Sequence, residues 1–144
     1  MNILLGVGNT LKSDDGAGVY VAQNFEHPGW TAYSCETSPE NFTGIIRREK
    51  PKILIIVDAA YMGLSPGEFR IIPPDRLGVA GFDTHVMDLG KLIQFLQGLA
   101  GEIILLGIEP ENTEFGDIIS DSVIAGADRL IDAVKKGPGL ISVL

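Results

Sequence analysis

The chain has 144 residues, of which 45% are hydrophobic and 21% charged, and 11 Lys+Arg stand against 19 Asp+Glu for a formal net charge of −8. A chain of ~150 residues buries roughly 68–70% of its unfolded surface, so it folds without disulfides or a structural metal. The balance excludes several classes of function. An acidic surface repels nucleic-acid phosphate, no apolar run approaches the ~18 residues of a membrane span, and the single Cys35 allows neither an internal disulfide nor a Cys-rich zinc site. The opening MNILLGVG is apolar but has no basic start and soon meets Asp14-Asp15, unlike a secretory leader. The expected compartment is the reducing cytoplasm.

In chain order, residues 2–8 read as a buried strand ending in glycines, followed by the polar turn NTLKSDDG and a helix, GVYVAQNF, capped by Asp14 or Asp15. WTAYSCE (30–36) alternates as a second strand, and Ser38 precedes a short helix, ENFTGIIRREK. Arg47, Arg48, Lys50 and Lys52 gather at its end, where they complement the helix dipole. KILIIVDA (52–59), bounded by Pro51 and Asp58, is the strongest strand signal. A turn at Ser65-Pro66-Gly67 leads into a short strand, EFRII, expected to run antiparallel and closed by Pro73-Pro74. VMDLGKLIQFLQGLAG sets Val86, Leu89, Leu92, Ile93, Leu96 and Leu99 on one helical face. EIILLGI (102–108) is another buried strand. The last helix, from about Ser120 to Lys136, turns Val123, Ile124, Ala127, Leu130, Ile131 and Val134 inward and stops at Gly137-Pro138. Strands alternating with helices, several of them unbroken apolar runs, define an α/β fold: one three-layer sandwich spanning 1–144, a mostly parallel twisted sheet of about five strands with one antiparallel, helices on both faces.

In such sheets ligands bind beyond the carboxyl ends of the strands. Here those ends carry NTLKSDDG, ETSPEN, DAAYMG and EPENTEFGD, which together make an acidic cleft. Gly6-Val7-Gly8 lacks the third glycine of a dinucleotide fingerprint. Asp14-Asp15 stand where a pyrophosphate would sit, so nucleotide binding is rejected on electrostatic grounds. The glycines still call for a tight turn or a close approach. Asp14 and Asp15 admit a plain reading, one as a helix cap and the other solvated. Asp58 admits one as a turn residue at a strand end, His85 as a structural histidine, and His27 as a solvated loop residue. Taken together, Asp15, Asp58 and His85 form a mixed oxygen and nitrogen set suited to zinc, nickel, iron or manganese with coordination positions left open. Nucleophilic catalysis has little support: there is no GxSxG elbow, and Cys35 falls within a strand.

GVGNTLKSDDGAG, VDAAYMG and Asp83-Thr84-His85 resemble the nickel–iron hydrogenase maturation endopeptidases, which remove a C-terminal extension from the hydrogenase large-subunit precursor. Ser38-Pro39-Glu40-Asn41, MGLSPGEFRII and LLGIEPE further resemble the branch that processes formate-hydrogenlyase-type, or hydrogenase 3-type, large subunits. The resemblance implies that Asp15, Asp58 and His85 contact metal and carry catalysis, and that the metal is nickel already inserted in the substrate. It implies a transient complex with the precursor, formed by a cytoplasmic monomer. Phe42, Tyr61, Met62 and Phe82 are candidates for its rim, and Leu140–Leu144 for an added edge strand. Three competing readings are an aspartic dyad of Asp15 and Asp58 sharing a proton, a non-catalytic nickel-binding maturation chaperone, and a plain nucleotide-binding domain.

Overall fold

Asn2–Val7 form β1, which pairs in parallel with β2 (Trp30–Glu36) on one side and β3 (Ile53–Tyr61) on the other. The computed structural model describes residues 1–76 and 89–144 and, between them, the backbone of Asp83 and Thr84. Beyond β3 lies β6 (Glu102–Ile108), again parallel, and β4 (Phe69–Ile72) closes that edge antiparallel to β6. The order is therefore β2-β1-β3-β6-β4. The two-residue β5 (Asp83–Thr84) adds an antiparallel pairing that the sequence reading did not anticipate, setting Thr84 opposite Ala60 and Asp83 opposite Tyr61.

Side chains alternate across a strand, and the central strands are apolar on both faces because helices cover both. On one face, Leu4, Ile55, Val57, Ile104 and Leu106 pack under α1 (Ala17–Gln23) and α4 (Asp121–Lys136). On the other, Ile3, Leu5, Leu54, Ile56 and Leu105 meet α2 (Thr43–Glu49) and α3 (Leu89–Leu96). This is the expected three-layer α/β arrangement.

Several boundaries differ for identifiable reasons. The segment after Ser38 begins as a 3-10 turn (Pro39–Phe42), and α2 stops at Lys50, whose φ of 47° is left-handed. Arg47 and Arg48 occupy its last turn, as dipole complementation requires. The α3 helix ends at Leu96, before Gly98 turns the chain at φ 86°, so Leu99 is core without being helical. Val86 lies outside the described residues. On α4, Ile124 is only half-buried, whereas Val123, Ala127, Leu130, Ile131 and Val134 face the core.

The strand carrying Asp58 does not end there. It continues to Tyr61, because Ala60 and Tyr61 find partners in β5. The C-terminal segment does join an edge, as Ile71 of β4 donates to the Ser142 carbonyl at 2.8 Å and accepts from the Leu144 N–H at 2.8 Å. Ile141 is buried beneath that pairing.

Candidate functional site

The chain leaves β1 toward β2 on one side and later returns to β3 on the other, so the sheet order reverses between β1 and β3. A crevice opens at such a switch point beyond the strands' carboxyl ends. The glycines of the first turn serve that junction. A Cβ on Gly18 would lie 2.3 Å from both the Val7 and Val57 carbonyl oxygens, and one on Gly6 would lie 2.1 Å from the Gly18 carbonyl. The close approach foreseen at these glycines is therefore made by α1 itself. It brings the 3-10 turn Ser13–Gly16, and with it Asp14 and Asp15, down over the ends of β1 and β3.

The two adjacent aspartates have different surroundings. Asp14 is fully buried, and its Oδ2 accepts from the backbone N–H groups of Glu111 (2.9 Å) and Asn112 (2.8 Å) and from the Ser120 hydroxyl (2.8 Å). Its Oδ1 accepts from the Ser120 N–H at 2.6 Å. A carboxylate with four donors is satisfied. Asp14 caps no helix of its own. It fastens the loop after β6 and secures Ser120, the residue that starts α4.

Asp15 is also buried rather than solvated. Its Oδ2 takes the Asn9 N–H at 2.9 Å, while Oδ1 has no hydrogen-bond partner. Asp58 sits within β3 opposite Gly107 of β6, is buried, and has a partner for neither carboxylate oxygen. Strand alternation places it with Leu54 and Ile56, on the α2 and α3 side of the sheet. Burial, and secondarily the nearby Asp15 charge, push the Asp58 carboxyl well above its ordinary range, and the Ala59 backbone N–H, close by but not in hydrogen-bonding geometry, offsets part of this.

The fold thus brings Asp15 and Asp58 together. His85 lies outside the described residues, directly after β5, whose Thr84 is opposite Ala60 and so two residues along β3 from Asp58. Among the described residues no group of three His, Cys, Asp or Glu side chains is arranged to hold a metal ion. Cys35 is buried in β2, and burial and then Glu40 push its thiol up to about 12, the opposite of the lowered value that activates a cysteine nucleophile.

One residue escaped the sequence reading. Glu109, at the end of β6, is buried and accepts from the N–H groups of Met62 (2.7 Å) and Leu64 (3.1 Å). The Tyr61 hydroxyl meets Thr113 Oγ1 at 2.7 Å. The loop after β6 therefore holds the Asp14–Asp15 turn through Asp14 and the chain beyond Asp58 through Glu109 and Thr113. Of the expected rim residues, Phe42 meets Tyr33 in a tilted ring contact with centroids 5.5 Å apart, and Met62 is half-buried against the core. Phe82 lies outside the described residues.

Residues 20–136 match the family model described as HycI, hydrogenase maturation protease. The chain is 42% identical over 118 residues to the hydrogenase 3 maturation protease of Escherichia coli K12, covering 79% of this chain and 76% of that protein. The solution structure of the endopeptidase HycI from E. coli superposes with a TM-score of 0.88 at 33% identity, over 100% of this chain and 96% of that one. The crystal structure of a [NiFe] hydrogenase maturation protease HycI from Thermococcus kodakarensis gives 0.82 at 30% identity, over 94% and 90%.

Proposed function

The chain belongs to the HycI-type hydrogenase maturation proteases, and from that premise we propose that Asp15, Asp58 and His85 recognise nickel in a [NiFe]-hydrogenase large-subunit precursor and direct hydrolysis of the bond that frees its C-terminal extension. The observation that carries this reading is the set of three buried carboxylate oxygens, Asp15 Oδ1 and both of Asp58, that have no partner. Buried acceptors without donors are rare, and a cation or a proton is what completes them. Carboxylate oxygen with imidazole nitrogen is a donor set nickel accepts. The substrate's metal would supply positive charge and polarise the oxygen of a bound carbonyl or water.

The chain's own residues have distinct tasks. Asp15, oriented by the Asn9 N–H through Oδ2, turns its free oxygen toward the substrate's metal. Asp58, whose carboxyl burial pushes upward, is in its ionised form the stronger base for it, and takes a proton from the attacking water. His85 supplies the nitrogen donor. Water attacks the scissile carbonyl directly, and no covalent bond to the enzyme forms. The complex with the precursor is transient, since the product leaves without its tail. A second reading, an Asp15–Asp58 pair sharing one proton, draws on the same upward displacement of Asp58.

Intact-mass spectrometry of the precursor, nickel-loaded and nickel-free, after incubation with the protein separates them. Loss of a C-terminal peptide from the loaded form alone supports the nickel-reading site. Equal cleavage of both forms overturns it in favour of the proton-sharing pair. Asp15→Asn and Asp58→Asn each abolish processing in either case, and full cleavage by either variant removes these residues from the mechanism.

A further inference from the structure

The two loops that flank the carboxylate crevice carry large apolar side chains held in water: Phe115 is 86% exposed, Ile118 78% and Leu11 57%. Their backbones form one joined ribbon. Ser13 N–H donates to the Gly116 carbonyl at 2.7 Å, and Gly116 N–H donates to the Leu11 carbonyl at 2.8 Å. Ser13 Oγ reaches the Glu114 carbonyl at 2.9 Å, and the Asn112 side chain braces the Glu114 N–H at 2.9 Å. Exposed apolar side chains on a backbone tied this closely are not frayed core. They are presented in a fixed arrangement, so a partner would meet them at little ordering cost. The ribbon also continues directly into Asp14 and Asp15, so a protein whose backbone enters the crevice passes alongside it.

Charge indicates what kind of surface would fit. Glu111, Glu114, Asp117 and Asp121 lie close to Phe115 and Ile118 in the chain and are exposed, against a single exposed Lys12 beside Leu11, and the chain has no Lys or Arg between Lys91 and Arg129. An apolar centre with a predominantly acidic rim complements an apolar pocket rimmed by Lys and Arg.

We infer that Leu11, Phe115 and Ile118 are the docking patch for the folded body of the precursor, which presents an apolar pocket with a basic rim beside its C-terminal extension. This rests on the protease reading above and deepens it. The patch grips the substrate, while the crevice reads its metal and cuts. Aromatic anchors at such a centre dominate affinity, so the patch governs KM and leaves kcat alone.

The test uses the full chain and the nickel-loaded precursor. Phe115→Ser and Ile118→Ser, singly and together, are expected to raise KM by about tenfold or more for the double variant with kcat unchanged. Leu140→Ser, equally exposed but on the tail beyond α4, is expected to leave KM as it is. Binding of Asp15→Asn enzyme to the precursor is expected to weaken on raising salt from 50 to 500 mM, and to weaken at least tenfold on adding Phe115→Ser. An unchanged KM in the double variant, or equal losses from Leu140→Ser, overturns the docking patch while leaving the cleavage chemistry standing. Cleavage by Asp15→Asn overturns the catalytic assignment and leaves the patch to be judged by binding alone.

Discussion

Asp14 and Asp58 are buried alike, at 0% and 1% exposure, yet one carboxylate is surrounded by donors and the other has none. The contrast separates two regions of the same crevice. The turn and loop joined through Asp14 form a closed network with no acceptor left over, so that region is organised for rigidity. The floor formed by Asp58 and the free oxygen of Asp15 is polar, buried and without protein donors, at a cost to stability that a ligand, a water or a proton offsets. Neighbouring aspartates in a single motif can therefore have opposite surroundings, Asp14 saturated with donors and Asp15 left with one open oxygen.

The comparison can be broken at its strongest point by the variants Asp15→Asn and Asp58→Asn. Processing of the precursor should fall by about 10³-fold or more, while the urea midpoint of each stays at or above that of the parent. Next comes Asp14→Ala, which leaves three backbone N–H groups without partners. It should lose about 3 kcal/mol of stability in urea denaturation, with activity falling only as far as the crevice loosens. A variant that keeps full stability would show that the latch is ornamental.

The pH dependence sharpens the contrast further. A carboxyl whose folded pKa is raised binds its proton more tightly in the native state. The stability it contributes is complete below the unfolded value of about 4 and is lost as pH rises through the folded pKa. Asp58→Asn should therefore be more stable than the parent at pH 8, and the gap should close toward pH 4. A gap of constant size across that range would mean that burial does not raise the Asp58 carboxyl. The smallest effect concerns the buried thiol of Cys35. With its thiol pushed up to about 12, Cys35 should resist a thiol-specific reagent at pH 8 in the folded protein and react at once in denaturant.

How much of this was legible in the sequence depended on distance along the chain. The unbroken apolar runs of β1, β3 and β6 announce strands covered on both faces, and they were read with nearly the right limits. The change from Val57 to Asp58 looks like the end of a strand. It is not, because the partner that extends β3 is the two-residue β5, too short to leave a pattern of its own. Gly6 and Gly18 announce a close approach, but only the fold identifies the visitor as α1 rather than a ligand. The role of Asp14 could not be read at all, since its donors stand some hundred residues away at Glu111, Asn112 and Ser120. Leu11, Phe115 and Ile118 were passed over because single apolar residues inside polar loops carry no periodic signal.

The Asp14 latch has a consequence for how the molecule is made. Its hydrogen bonds span 97, 98 and 106 residues of sequence. They are among the most non-local contacts the chain makes, and closing so long a loop is entropically late. During synthesis the first strand and its turn leave the ribosome long before Ser120 exists to receive them. Until the start of α4 emerges, the turn carrying both aspartates lacks the full set of donors that holds Asp14. Competence to cut therefore arrives near the end of folding, and truncated or half-made chains hold the acidic residues without the geometry to use them.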